Sequence, residues 1–417
     1  MIIREQAQIN SVGSRILLTG GRAPATLDLA RQLAANGHEI FVAESCKEHL
    51  CQHSRAVKRS YLVQEPVSDP QAYLDEIRNI IQTEQIEWLI PMCEELFYIS
   101  GGLAYLGAYC HVFVEPLGKL RRLHSKWEFI LRVQKLGLVV PGTHLLSSKQ
   151  EGLAFMEAAV NNAKASSKWV FKPVFSRFSS KVHLAEVTAN GWTTTFHLGD
   201  EDLSAATPWI AQQFVEGTGF CSYSVAHQGE ITAHAVYPVG FTVGRGACIA
   251  FEPAQHRQID AWVERFVREE GFTGQIAFDF IVTDEDEIYP LECNPRATSG
   301  IHLFTPEDRL DRAFLVEADQ PLPTRIVPRP SRRAMITLAM LSFGAANCLK
   351  GRSWKKITAW MRFLFSSEDV VFRSRDFQPF WQQFRLIHWN WRVGVRHRIS
   401  VMEASTMDIE WNGGEMF

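Results

Sequence analysis

No cysteine in this chain belongs to a C-x-x-C pair, no N-terminal stretch is apolar, and no apolar run reaches the roughly 20 residues of a membrane span. The eight cysteines stand singly, at Cys46, Cys51, Cys93, Cys110, Cys221, Cys248, Cys293 and Cys348, several inside apolar runs. That pattern fits reduced, buried thiols of a cytosolic protein. Cys46, Cys51 and His53 lie close together, but their spacing matches no standard zinc pattern. The N-terminus, "MIIREQAQINSV", has charges where a secretory leader needs an apolar core. The longest apolar run, "AMITLAMLSFGAANCL", reads as a core helix or strand. Charge of one sign is scarce as well: the net charge is -3 over 417 residues, so composition does not mark a polyanion binder and no nucleic acid is expected. No internal repeat or low-complexity tract is present. These absences point to a cytoplasmic protein without a transmembrane segment.

Hydrophobic residues make up 46% of the chain, enough for a substantial core in two or three domains. "RILLTGG" is a short strand ending in glycines. Pro24 suits the first turn of a helix, Leu27, Ala30, Leu33 and Ala34 recur at helical spacing, and Gly37 is placed to end it. "EIFVAE" is the next strand, so this is a strand–helix–strand unit and the sheet is parallel. A helical stretch near 73–82 leads into "IEWLIPM", a third strand. Residues 1–118 form one Rossmann-like α/β domain. A dinucleotide fingerprint needs G-x-G-x-x-G after the first strand, and "GGRAPA" lacks the second and third glycines. Glu44 stands roughly where a ribose-binding acid would. A Rossmann-like scaffold is the better reading.

From 119 the texture changes. "LHSKWEFILRVQKLGLVVPGT" reads as a helix ending at Gly137, then a short strand. "KWVFKPVFSRFSSKVHLAEV" is a hairpin with a polar turn, and 208–239 reads as strands with glycine turns. "HRQIDAWVERFVREEG" is an amphipathic helix with Ile259, Trp262, Val263, Phe266 and Val267 on one face and Gly271 as its stop. "GQIAFDFIV", the acidic turn "TDEDE" and "IYPLECNPR" form a second hairpin.

That last hairpin carries the chemistry. Strand residues alternate faces, so Glu292 and Asn294 share one face and Cys293 takes the other. A turn centred between Glu285 and Asp286 sets Asp279 opposite Glu292, about 5 Å away. Two carboxylates that close repel unless a cation lies between them. Two carboxylates and an amide oxygen are the hard donors that Mg²⁺ prefers, with phosphate and water completing the shell. Taken singly, Asp279 between two phenylalanines could mark a solvent-facing side, and Asn294–Pro295 a turn. Together with Arg296 they read as a metal–phosphate site.

These residues, with those upstream, resemble the ATP-grasp family, especially its carbamoyl-phosphate-synthetase-like branch of carboxylate–amine ligases. "LECNPR" is similar to the family's E-x-N-P-R strand, over a resemblance that spans about 15–305. It implies an α/β (α+β) chain: a Rossmann-like pre-ATP-grasp domain (1–118), an ATP-grasp domain (119–305) and a C-terminal accessory domain (306–417). It implies that Asp279, Glu292 and Asn294 hold Mg²⁺ (or Mn²⁺). Lys126 in "LHSKWEF" and Lys172 in "FKP" would touch the phosphates of ATP. "QQFVEG" resembles the adenine hinge, with Gln213 where a glutamate is usual, Val215 offering a backbone N–H and Glu216 reaching the sugar. The turn "SRFSSK" lacks the family's glycines, leaving Ser176, Ser179 and Ser180 as hydrogen-bond donors and Arg177 or Lys181 as charge. The implied reaction is amide formation through an acyl phosphate, releasing ADP and phosphate, from a small-molecule carboxylate and amine. Arg296 and then Arg245 are the residues expected to stabilise transferring oxygens; His302, just beyond, reads as structural or near the site. A nucleotide-binding protein without turnover and a kinase are the other readings.

"DQPLPTRIVPRPSRR" reads as a linker. Beyond it, 350–398 holds eleven bases and three acids interleaved with aromatics. The expectation is a helical segment with aromatics packed inward and bases to water; an anionic substrate, a membrane surface or a homodimer interface are the alternatives.

Overall fold

The structure is a computed structural model and describes residues 13–162, 166–176, 181–194, 196, 198–199, 201–243, 246–317, 320–351 and 354–414.

The first sheet is built from β1 (Arg15–Thr19), β2 (Glu39–Glu44), β3 (Arg59–Leu62), β4 (Trp88–Ile90) and β5 (His111–Val112), in the order β3-β2-β1-β4-β5 and parallel throughout. Helices α1 (Pro24–Ala35) and α2 (Pro70–Thr83) provide crossovers. Pro24 opens α1, and Gly37 follows its end at φ +94°. "IEWLIPM" is the fourth strand, not the third: "RSYL" forms β3 at the sheet's edge. Its four residues are half-buried or exposed, so no apolar run announces it.

The helix expected up to Gly137 is present, and a further short helix precedes it. α3 (Leu117–His124) stops at Ser125, whose hydroxyl accepts the Glu128 N–H (3.2 Å) and caps α4 (Lys126–Lys135). Lys126 is therefore fixed in the first turn of α4. An antiparallel sheet follows: β6 (Thr143–Leu146), β7 (Ser167–Pro173), β8 (His183–Thr188), β9 (Gly191–Thr194) and β10 (Trp209–Gln213), ordered β6-β10-β7-β8-β9.

The third sheet contains β11 (Thr218–His227) and β12 (Glu230–Pro238); after β13 (Ala250–Phe251), which belongs elsewhere, β14 (Gly274–Val282) and β15 (Ile288–Asn294) complete it in the order β12-β11-β14-β15. Helix α5 (Arg257–Glu270) covers it. Ile259, Trp262, Val263, Phe266 and Val267 are buried as the periodicity predicts, with Trp262 edge-on to Phe278 and Phe280. Gly271 ends α5 in the left-handed region (φ +52°).

Two expectations about the remainder fail. The proline-rich stretch is not a free linker: Ile326 donates to Thr232 O (2.8 Å), His234 N–H donates to Ile326 O (2.9 Å), and buried Arg332 pairs with Glu368 (2.6 Å). β16 (Ala334–Met335) then joins β13 and β17 (Glu368–Asp369) in a small sheet. Nor do the C-terminal aromatics pack inward. On α6 (Trp354–Ser366) and α7 (Gln378–His397) most of the tryptophans and phenylalanines are exposed or half-buried: α7 buries Pro379, Gln382, Gln383, Asn390 and Gly394, and α6 packs Trp360 and Phe363 only partly against the body. The apolar run around 340 is also only partly core: Met340 is buried while Leu341 and Phe343 are exposed. The last described residues return to the first domain, where Trp411 lies against Phe97 (4.7 Å between rings) and Asp408 pairs with Arg22 (2.6 Å). Among the described residues no helix is long and apolar enough to cross a membrane. All eight cysteines are free, five of them buried.

Candidate active site

β14 and β15 bring the acids together. Asp279 pairs with Glu292, and Asn294 lies two residues further along β15, opposite Ala277. The ladder slips by one residue at Leu291: Val282, Ile281 and Phe280 face Ile288, Tyr289 and Pro290, whereas Asp279 faces Glu292. Such a bulge re-aims the side chains beyond it. Cys293 points into the core, as alternation requires. Asn294 Nδ2 reaches Glu292 Oε1 (3.4 Å) and Asn294 Oδ1 accepts from Arg296 Nη2 (3.1 Å).

Two buried lysines close on this face from other elements. Lys126 Nζ, at the start of α4, lies 3.5 Å from Glu292 Oε2 and donates to Ser176 O (3.0 Å). Lys172 Nζ, from β7, reaches Leu291 O (3.4 Å). Thus the second sheet meets the third at the acids. The electrostatics follow from crowding. Burial and the Glu292 charge push the Asp279 carboxyl up to about 7. Burial acts on Glu292 too, but Lys126 and Lys172 overcome it and hold that carboxyl below its ordinary value. Burial, helped by Lys126, lowers the Lys172 ammonium to about 8.

This donor set fits Mg²⁺ or Mn²⁺. Asp279 and Glu292 offer carboxylate oxygens and Asn294 an amide oxygen, here bonded to Arg296, and the repulsion that raises Asp279 is what a divalent cation would relieve. Among the described residues no group of three histidine, cysteine or acidic side chains stands ready to hold a metal; here the third donor is an amide, and the shell would be completed by phosphate and water.

Residues that sequence reasoning missed complete the site's far wall. Glu94, fully buried just after β4, pairs with Arg296 Nε (3.4 Å). Its neighbour Glu95 accepts from Thr19 Oγ1 (2.5 Å) and from the Cys93 N–H (2.9 Å). Both lie beyond the carboxyl ends of β1 and β4, where the strand order of the first sheet reverses and α/β folds place ligands. The signal was available: two acids directly after an apolar strand.

The residues expected at an adenine hinge sit where β10 ends. Gln213 N–H donates to Gly142 O (2.7 Å) and Phe214 N–H to Lys168 O (2.9 Å), which fixes the chain entering Val215. Glu216 is exposed and paired with Lys168 (2.7 Å), so a sugar would have to compete for it. Ser179, Ser180, Arg177 and Arg245 lie outside the described residues. His302 is structural: it is buried, its Nδ1 lies 2.9 Å from Asp28, and its ring packs on Phe251. Glu44 is not a ribose acid, because its carboxylate is buried and bound by Arg22.

Residues 123–300 match the family model of the ATP-grasp domain. The chain carries an ATP-grasp domain. Solved structures share the fold over most of the chain. An L-amino acid ligase from Bacillus licheniformis is 14% identical, covering 78% of this chain and 79% of its own, at a TM-score of 0.56. N5-carboxyaminoimidazole synthetase from Staphylococcus aureus, complexed with ADP, is 13% identical over 76% of this chain and 80% of its own, at 0.55. The biotin carboxylase domain of 2-oxoglutarate carboxylase from Hydrogenobacter thermophilus, with MgADP and bicarbonate, is 11% identical over 68% and 64%, at 0.52. No curated protein matches the chain by sequence. The parallel first sheet, which precedes the matched residues, is Rossmann-like.

Proposed function

We propose that this protein is an ATP- and Mg²⁺-dependent ligase that joins a carboxylate to an amine through an acyl phosphate. The observation that carries the reading is the Asp279–Glu292–Asn294 oxygen set with Lys126 and Lys172 closing on it from two other elements. The L-amino acid ligase and the two relatives solved with ADP support it.

Asp279, Glu292 and Asn294 would hold Mg²⁺ or Mn²⁺, which when bound neutralises charge on the β- and γ-phosphates. Lys126 and Lys172 hold phosphate oxygens. A substrate carboxylate oxygen attacks the γ-phosphorus, and the bond to ADP breaks. The amine nitrogen then attacks the acyl carbon, phosphate leaves with the C–O bond pair, and the nitrogen gives up a proton. Arg296, held by Asn294 and Glu94, faces the transferring oxygens. Gln213 and the Val215 N–H receive adenine, with Glu216 near the sugar once Lys168 is displaced. Positioning and charge account for the catalysis, and no protein nucleophile is required. Residues 1–118, 119–305 and 306–417 act as the pre-grasp, grasp and accessory parts, in the cytoplasm.

Incubation with Mg-ATP, a panel of carboxylates and hydroxylamine tests the proposal. Hydroxamate with ADP is expected. AMP in place of ADP would contradict the acyl phosphate; phosphorylated hydroxyl product would indicate a kinase; nucleotide binding without turnover on any substrate would leave a regulatory protein.

A further inference from the structure

Helix α7 is folded with its amphipathic sense reversed. The side turned to the body carries Gln382, Gln383 and Asn390, all buried, and Gln382 donates to Glu48 (2.9 Å) and Gln52 (2.6 Å) beside it. The side turned to solvent carries Trp381, Phe384, Trp391 and Val395, at spacings of three, seven and four that stack them into one ridge. Trp381 is 59% exposed, Trp391 53% and Val395 62%. A helix normally buries its apolar stripe and shows its polar one. Burial of the glutamines and exposure of the tryptophans therefore costs the isolated chain solvation on both sides, and marks the ridge as a surface made to be covered.

The charge says by what. Arg385, Arg392 and Arg396 are spaced by seven and four, so they form a second exposed row alongside the ridge, and α7 contains no acid. α6 repeats the composition: Lys355, Lys356 and Arg362 without an acid, and Trp354 and Phe365 at 80% and 83% exposure. The chain as a whole is nevertheless acidic, at -3. Repulsion between the arginine rows of two copies disfavours self-association. A nucleic acid would meet the row of arginines with its phosphates and stack its bases on the aromatics, but it offers nothing apolar to Val395 and the adjoining Ile387, exposed at 62% and 50%. Anionic headgroups over acyl chains satisfy both rows together: arginines pair with phosphates while the ridge enters the headgroup–acyl boundary. At 20 residues α7 presents about 30 Å of such a face.

We infer that the outer face of α7 docks this protein on an anionic phospholipid surface, lying in the interface rather than spanning it.

Sedimentation of the full chain with vesicles tests this, comparing phosphatidylcholine alone with phosphatidylcholine containing one-third phosphatidylglycerol, at roughly 0.1 M salt. The chain is expected to sediment with the anionic vesicles only, with a blue shift of tryptophan emission, and to be released by high salt. The triple variant Arg385→Glu, Arg392→Glu, Arg396→Glu should bind about a hundredfold more weakly or worse. The double variant Trp381→Ser, Trp391→Ser should lose binding with its charge intact. Both variants should keep the wild-type circular dichroism spectrum and unchanged ATP turnover. No sedimentation with anionic vesicles, equal binding by the triple variant, or equal binding to neutral vesicles would each overturn the inference. So would a dimer in analytical ultracentrifugation that the tryptophan variant dissociates, or retention on single-stranded nucleic acid with no retention on vesicles.

Discussion

Arg296 joins two segments two hundred residues apart in sequence: its Nε stands 3.4 Å from buried Glu94 at the mouth of the first sheet, while its Nη2 donates to Asn294 at the end of β15. The pair ties the Rossmann-like sheet to the proposed metal strand. Replacing Glu94 by Gln should remove the charge on one side of Arg296 and leave it held only by its bonds to Asn294 and Ala297 O. The expected outcome is a fall in kcat of roughly tenfold with KM for ATP nearly unchanged, since positioning is lost and nucleotide contacts are kept. Steady-state kinetics with varied ATP checks it; a purely structural role would instead lower the thermal midpoint and leave kcat of the folded fraction intact.

Asp279 and Glu292 are proposed to share one divalent cation. Asp279→Asn and Glu292→Gln, each close in volume to the native residue, should cut Mg²⁺-dependent ADP formation by about a hundredfold or more. Substituting Mn²⁺ should not restore Glu292→Gln. ADP release with titrated metal measures this; wild-type rates in either variant would remove both residues from the site.

The pH dependence should be bell-shaped. Asp279, raised to about 7 by burial and by Glu292, must lose its proton to bind the cation, so kcat/KM falls as pH drops below about 7. Lys172, lowered to about 8 by burial and by Lys126, must keep its proton to pair with phosphate, so kcat/KM falls as pH rises above about 8. Isothermal titration of Mg²⁺ in buffers of different ionisation enthalpy near pH 6.5 should show proton release, and Asp279→Asn should abolish it.

The C-terminal residues are stitched to the first sheet through Arg22. Its guanidinium is bound by Glu44 and lies 2.6 Å from Asp408, and all three groups are largely buried. Arg22→Met strands Glu44 without its cation, which should cost about 3–5 kcal/mol and lower the urea midpoint markedly. Burial pushes the Glu44 and Asp408 carboxyls up, yet Arg22 holds both below their ordinary values. This contribution is therefore complete at neutral pH and lost as pH falls through the acidic range, below the unfolded carboxylate values. An unchanged acid-unfolding curve in Arg22→Met would refute it.

The amino-acid sequence by itself determined what depends on neighbours along the chain. The alternation of "LECNPR" put Glu292 and Asn294 on one face, and the period of 257–270 chose its buried face. It also determined the parallel first sheet, because a strand–helix–strand repeat has no other way to bury its apolar faces. Only the tertiary structure decided the rest. The slip at Leu291 moves the pairing by one residue, and no turn signal at 283–287 encodes it. The edge strand "RSYL" has no apolar pattern of its own and exists because β2 offers it a ladder. The pairs Glu94–Arg296 and Arg22–Asp408 span hundreds of residues, and such contacts follow from how finished elements pack. The outward turn of α7 belongs to the same class: its period sets which residues share a face, whereas the glutamine contacts at Glu48 and Gln52 set which face looks in.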